Sequence, residues 1–137
     1  MNRVVIDPGV LVSAAISPQG TPAKLVKAWM DGSFSLLVCP HLLDELERVL
    51  SRQKFRRYLS EDEAKDYVRL FRDFAAHVPD PEIKKKYSVD PDDDYIVALA
   101  LENAVEVIVS GDPHLLNVKE QSVTILAPAK FYAKLGL

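Results

Sequence analysis

Short runs of apolar, β-forming residues alternate along this chain with longer segments in which apolar residues recur every three or four positions. The short runs predict buried strands, and the longer segments predict helices with one buried face. The predicted strands cover residues 4–6, 34–38, 77–78, 106–109 and 123–126. Strands that alternate with helices are typical of a parallel sheet, so the pattern predicts an α/β fold.

Residues at the ends of the periodic segments support the helix assignments. Thr21-Pro22 places a capping residue and a first-turn proline at one predicted helix start, and Gly32 marks the end of that helix. Pro40 opens the next predicted helix, and residues 60–63 form a capping box before the one that follows. Pro128 starts a short final helix, which is suited to packing on the sheet or on another subunit.

The composition fits one domain that spans residues 1–137. With 48% hydrophobic residues the chain is able to bury a core, and no run approaches the roughly 20 apolar residues that span a bilayer. The N-terminal residues do not form a signal peptide, and the single cysteine, Cys39, has no internal disulfide partner. We therefore expect a cytoplasmic protein without membrane association. A net charge of −3 argues against a general nucleic-acid coat but allows a nuclease, whose metal site is itself acidic.

Acidic residues recur beside the predicted strands and helix starts. Asp7 follows the first strand, Asp112 follows the fourth, the cluster at 90–94 precedes a helix, and Glu45 lies early in the helix opened by Pro40. Strand ends and helix starts face one edge of an open parallel sheet, so these four segments are expected to converge there. Gathered carboxylates repel unless a cation compensates, and their oxygens suit Mg²⁺ or Mn²⁺.

Each acid also has a purely structural interpretation. Asp7 suits a helix cap or a turn, the 90–94 cluster suits a helix dipole, and Asp112 suits a Gly-Asp turn. Glu45 suits a solvated helix face on which Arg48 is its partner three residues on. A common site is favoured because all four segments occupy the same kind of position in the predicted topology.

Five segments, in this order, make the chain resemble the PIN-domain family, and within it the toxin components of toxin–antitoxin systems related to VapC. They are VVIDPGVLVSA, GTPAKLVKAWMDGSFSLLVCPHLLDELERVL, LSEDEA, DPDDDYIVALALENAVEVIVSGDPHLL and ILAPAKFY. Together they cover nearly the whole chain. The resemblance implies a three-layer α/β/α sandwich around a parallel sheet of four to five strands, forming a single PIN-like domain.

The resemblance also implies a catalytic metal site for Mg²⁺ or Mn²⁺. The residues that match the family's four acids, as metal ligands and catalytic groups, are Asp7, Glu45, Asp93 and Asp112. Of three adjacent aspartates, Asp93 is chosen because its spacing to Ala100, and from Ala100 to Asp112, fits the family. Asp92 and Asp94 remain as groups that assist Asp93 or take its place. A hydroxyl at Ser110 is also typical of the family.

By this resemblance the chain is a metal-dependent endoribonuclease that hydrolyses phosphodiester bonds with a metal-activated water. The resemblance also implies that the chain is a toxin that acts on RNA, binds an antitoxin protein and forms a homodimer. The family has Asp-Thr-Asn or Asp-Ser-Asn after the first strand, whereas this chain has Asp7-Pro8-Gly9. That departure supports the alternative of a catalytically silent PIN-like domain that binds RNA or a partner protein. A receiver-like phosphoacceptor domain is a weaker alternative, because Ser110-Gly111-Asp112 replaces the lysine expected there.

Other residues bear on function less directly. A basic stretch after Glu45 suits either RNA phosphates or a solvated surface, and it consists of Arg48, Arg52, Lys54, Arg56 and Arg57. Trp29 and Phe34 are expected in the core, and Cys39 is expected to be a small buried hydrophobe. No histidine is assigned to catalysis, and only His114, beside Asp112, is of interest for the acidic site.

Overall fold

The computed structural model describes residues 2–88, 90–120 and 122–137, and its strands form one five-stranded parallel sheet. The strands are β1 (Arg3–Ile6), β2 (Ser35–Val38), β3 (Ala76–His77), β4 (Val107–Val109) and β5 (Thr124–Leu126). Each predicted strand is present, and its ends differ from the prediction by no more than one residue. The prediction of a parallel α/β fold is confirmed, with the sheet at the upper end of the expected strand number.

Helices fill the connections between the strands and follow the last one. They are α1 (Pro8–Ile16), α2 (Thr21–Met30), α3 (Pro40–Leu50), α4 (Glu61–Phe74), α5 (Asp94–Glu102), α6 (Pro113–Leu116) and α7 (Pro128–Lys134). The predicted capping box begins α4: Ser60 Oγ accepts from the Glu63 N–H at 3.1 Å, and Glu63 Oε1 accepts from the Ser60 N–H at 2.9 Å. In the described part of the chain, no helix combines the length and apolar character that a bilayer span requires.

The strand order, β3-β2-β1-β4-β5, divides the helices into two layers. Parallel connections are right-handed, so α1 to α4 cover one face of the sheet and α5 and α6 cover the other. The contacts agree, because α1 packs on α2 and α3, α3 packs on α4, and α5 packs against β1 and β4. The three-layer sandwich is therefore present, and the strand order changes direction between β1 and β4.

The core between the layers contains the aromatic residues that the sequence placed there. Trp29 stacks on Phe71 with ring centroids 5.1 Å apart, and Phe34 meets Phe131 edge-on at 5.3 Å. Cys39 is fully buried, and burial raises the pKa of its thiol to about 12, so it behaves as a small hydrophobe. These predictions are confirmed.

The apolar run after Asp7 forms helix α1, in which Val10, Leu11 and Val12 are buried. β-branched residues disfavour a helix slightly, but Pro8 sets the first-turn backbone angle and Asp7 supplies the cap. The structural interpretation of Asp7 as a helix cap is thus realised. It places the Asp7 carboxyl at the end of β1, where the candidate site lies.

Candidate functional site

A surface cleft of about 460 Å³ opens above the C-terminal ends of β1 and β4, where the strand order changes direction. Ligands bind at this position in open parallel sheets. The two strands are joined at the cleft floor, because the Asp7 N–H donates to the Val109 carbonyl at 2.9 Å. The sequence-predicted acids that line the cleft are Asp7, Glu45, Asp93 and Asp112. The expected convergence of four separate segments is therefore observed.

Asp7 is held by its own loop and by β4. Its Oδ1 accepts from the Gly9 N–H at 3.3 Å, and its Oδ2 accepts from the Ser110 hydroxyl at 2.8 Å. Burial raises the pKa of Asp7, the hydrogen bonds from Ser110 and Gly9 oppose that rise, and the Glu45 and Asp112 carboxylates add to it. The carboxyl is thus fixed in position, and its charge is disfavoured by its surroundings.

Ser110 joins two of the acids. It is fully buried, its hydroxyl accepts from the Asp112 N–H at 3.0 Å, and it donates to Asp7 as described above. Asp112 caps the N-terminus of α6, and its Oδ1 accepts from the His114 N–H at 2.8 Å. The turn interpretation of Asp112 is therefore also realised, and it coexists with a place in the cleft.

Among the four acids of the cleft, Asp93 has the most strongly raised pKa. Its pKa is raised to about 7, first by desolvation, then by the adjacent Asp112 carboxyl and by the charges of Asp7 and Asp90. It stands at the cap position of α5 but makes no capping hydrogen bond. Its Oδ2 is buried and has no hydrogen-bond partner among the described residues. A buried carboxylate oxygen without a donor is unfavourable unless something else, such as a cation, compensates it.

The two aspartates beside Asp93 lie elsewhere. The Asp94 side chain is buried, and its Oδ1 accepts from the backbone N–H groups of Tyr87 at 2.9 Å and Ser88 at 2.8 Å. Asp92 is exposed and lines a different cleft, which includes His41. Of the three adjacent aspartates, Asp93 is the one that lines the cleft with the other acids.

Glu45 is oriented by a residue that the sequence analysis missed. The Tyr95 hydroxyl donates to Glu45 Oε1 at 2.7 Å, and burial together with Glu45 raises the pKa of Tyr95, so the hydroxyl remains a donor. The two residues are 50 positions apart, and Tyr95 sits in an apolar helical run, so no local signal pairs them. In the described part of the chain, Glu45 makes no ion pair with Arg48.

Parts of the basic stretch after Glu45 have structural contacts. Arg56 donates to the Leu50 carbonyl, and Arg57 donates to the Tyr58 hydroxyl at 2.8 Å. Both arginines thus make contacts local to the segment between α3 and α4. The suggestion that this stretch binds RNA phosphates stays a prediction.

The donor set of the cleft fits a divalent cation. Among the described residues that line it, none is a lysine or an arginine, so no cationic side chain of the lining offsets the four carboxylates. Carboxylate oxygens are hard ligands of the kind that Mg²⁺ and Mn²⁺ take in proteins. A cation bound beside Asp93 would also compensate the buried Oδ2, which has no hydrogen-bond partner among the described residues.

The chain is similar to known proteins in sequence and in fold. The PIN domain family model matches residues 3–114, a range that contains all four acids. The chain is 24% identical over 120 residues to the uncharacterized protein MJ1680 of Methanocaldococcus jannaschii, covering 88% of this chain and 77% of that protein.

Two solved structures share the fold. The crystal structure of PAE2754 from Pyrobaculum aerophilum has a TM-score of 0.69 at 13% identity, over 99% of this chain and 90% of that one. The structure of VapBC2 from Rickettsia felis, bound to a DNA fragment from their promoter, has a TM-score of 0.65 at 10% identity, over 90% of this chain and 96% of that one.

Proposed function

This chain belongs to the PIN-domain family, whose members are generally nucleases, and on that premise we propose that it is a metal-dependent endoribonuclease. The observation that carries the proposal is the meeting of four carboxylates, from four separate segments, in one cleft at the strand ends. The proposed metal ligands and catalytic residues are Asp7, Glu45, Asp93 and Asp112. Hydrolysis of an RNA phosphodiester bond fits an open, acidic cleft that an extended polymer is able to enter.

The proposed cofactor is Mg²⁺ or Mn²⁺, held by the four carboxylates. A cation of this kind supplies activation of water and neutralisation of charge on the leaving oxygen. The protein's contribution is to fix its acids before the cation arrives. Ser110 holds Asp7 at 2.8 Å and Tyr95 holds Glu45 at 2.7 Å, so these two acids have little freedom to turn away.

A toxin role and its partners extend the proposal. The acidic cleft is open to solvent, so a partner protein that laid basic side chains over it would block RNA entry. We propose that the partner that covers the cleft is an antitoxin protein, in keeping with the VapC-like resemblance and with the similarity to the VapBC2 fold. The proposal includes a homodimeric assembly and action in the cytoplasm.

The test uses a labelled single-stranded RNA and the purified full chain. We expect cleavage with Mg²⁺ or Mn²⁺, none with a chelator, and a loss of cleavage in Asp93→Asn to the level of the chelated sample. The matched control is Asp92→Asn, which alters the neighbouring exposed aspartate and should cleave at the wild-type rate. Wild-type cleavage by Asp93→Asn would contradict the assignment.

A second candidate function is a silent PIN domain that binds RNA or a partner protein. It is favoured by Pro8, which offers the cleft neither an N–H nor a hydroxyl, and by Gly9, which lines the cleft without a side chain. A Cβ at Gly9 would meet nothing within 4 Å, so a side chain is able to begin there without a clash at its first atom. Cleavage by the double variant Pro8→Thr with Gly9→Asn, but not by wild type, would establish the silent function; cleavage by wild type would exclude it.

A further inference from the structure

A histidine lies beside the acidic cleft, and the proposed nuclease site does not use it. One ligand atom each of Asp90, Asp93 and His114 falls within a group in which all atoms are within 4.8 Å of one another. The His114 Nδ1 is 3.6 Å from Asp112 Oδ1, which is too long for a good hydrogen bond. The imidazole is therefore close to three carboxylates, and its ring nitrogens make no hydrogen bond to any of the described residues.

The three side chains are positioned by short-range contacts that leave ligand atoms free. Asp90 Oδ1 accepts a hydrogen bond from the Asp92 N–H at 3.0 Å. This bond caps the 3-10 turn at Pro91–Asp93. Asp93 contributes the buried carboxylate whose Oδ2 has no partner among the described residues. His114 is half exposed in α6, and the α6 start is anchored by the bond from its own N–H to Asp112.

We propose that Asp90 and His114 extend the cation site at Asp93, so that the cleft prefers a cation that accepts nitrogen ligands, Mn²⁺, over Mg²⁺. This inference rests on the proposed function, since it shares Asp93 with the four-carboxylate site. The chemical reason is the mixed donor set. Carboxylates alone serve Mg²⁺ and Mn²⁺ alike, whereas an imidazole ligand adds less for Mg²⁺ than for a first-row transition cation, even Mn²⁺, which is the weakest binder of that series.

The test is calorimetric titration of the wild-type chain with Mn²⁺ and, separately, Mg²⁺, without RNA. In His114→Gln, we expect the Mn²⁺ affinity to fall by at least the roughly tenfold that the loss of a supporting partner costs at metal sites. The Mg²⁺ affinity of the same variant should stay within a factor of three of wild type. Asp90→Asn should weaken binding as well, and it keeps the turn intact because Asn caps as Asp does.

Two further variants make the result decisive. His77→Gln alters an exposed histidine outside the cleft and should leave both affinities unchanged. Glu45→Gln probes the proposed nuclease site alone. If Glu45→Gln abolishes binding of both cations while His114→Gln alters neither, this inference is wrong and the proposed function stands. If Glu45→Gln leaves both affinities unchanged, the four-carboxylate assignment is wrong, and the extension of that site is wrong with it; a wild-type chain that binds no Mn²⁺ likewise overturns both.

Discussion

Replacing Asp93 by asparagine should stabilise the protein when no cation is present. The substitution removes a charge that the fold disfavours, and it breaks no hydrogen bond of the described residues, because Asp93 makes no capping bond and its Oδ2 is unpartnered. The pKa of Asp93 is raised from 3.8 to about 7. One pKa unit corresponds to about 1.4 kcal/mol, so the whole rise would amount to ~4 kcal/mol. Because the side chain is partly exposed and water screens it, we expect ~1–2 kcal/mol.

The effect has a defined pH dependence. The folded-state pKa lies above that of the unfolded chain, so between about pH 4 and pH 7 the folded protein binds more protons than the unfolded one. The wild-type free energy of unfolding therefore falls, through this group, as the pH rises across that window. The advantage of Asp93→Asn should be small near pH 4 and complete above pH 7.

Urea unfolding in a chelating buffer at pH 5 and pH 8, followed by Trp29 fluorescence, measures the difference. Trp29 is a suitable probe because its ring is buried against Phe71. The control, Asp92→Asn, changes an exposed aspartate and should shift the free energy of unfolding by no more than ~0.5 kcal/mol. Adding Mn²⁺ should reverse the ranking, since a ligand at 100 times its Kd stabilises wild type by about 2.7 kcal/mol. A variant less stable than wild type at pH 8 without cation would refute the reasoning.

Two further predictions concern residues that hold the site or its surroundings. Tyr95→Phe removes only the hydroxyl that orients Glu45, so the Mn²⁺ affinity measured by calorimetry should fall by roughly tenfold; an unchanged affinity would mean that Glu45 needs no such support. Asp94→Ala removes the acceptor for two backbone N–H groups, so the free energy of unfolding from urea titration should drop by about 1–3 kcal/mol. Amide exchange at Ser88 should also accelerate, and protection equal to wild type would contradict the assigned contact.

The positions of Asp7 and Asp112 were predictable because they depend on local sequence. Asp7 follows β1 directly and Asp112 follows the end of β4 by three residues, and in a parallel sheet that places both at the ligand-binding edge. From the sequence, capping and site membership are alternative interpretations of Asp7, whereas the structure combines a helix cap with a position in the cleft. A carboxyl that accepts the Gly9 N–H with one oxygen still has another to present to the cleft.

The contacts that were not predicted join distant segments. Tyr95 reaches Glu45 across 50 residues, and nothing in the periodicity of α5 distinguishes a tyrosine that packs from one that also donates a hydrogen bond. The grouping of Asp90 with His114 likewise depends on how the segment before α5 meets the start of α6. The bounds of helix α1 were not among the predictions, although a helix cap was one interpretation of Asp7; Val10 and Val12 favour strands, and the first-turn signals of Asp7 and Pro8 prevail over that preference.

The hydrogen bond from Asp7 to Val109 makes the floor of the cleft part of the central strand pair. Asp7 follows β1 directly and Asp112 follows β4 after Ser110-Gly111, so we expect their separation to persist for as long as β1 and β4 remain joined. Cation binding should therefore disappear in the same cooperative transition as the sheet, and not in an earlier local opening. We expect the most protected amides of β1 and β4 to exchange only through global unfolding. A saturating cation stabilises the folded state and should therefore slow the exchange of these amides.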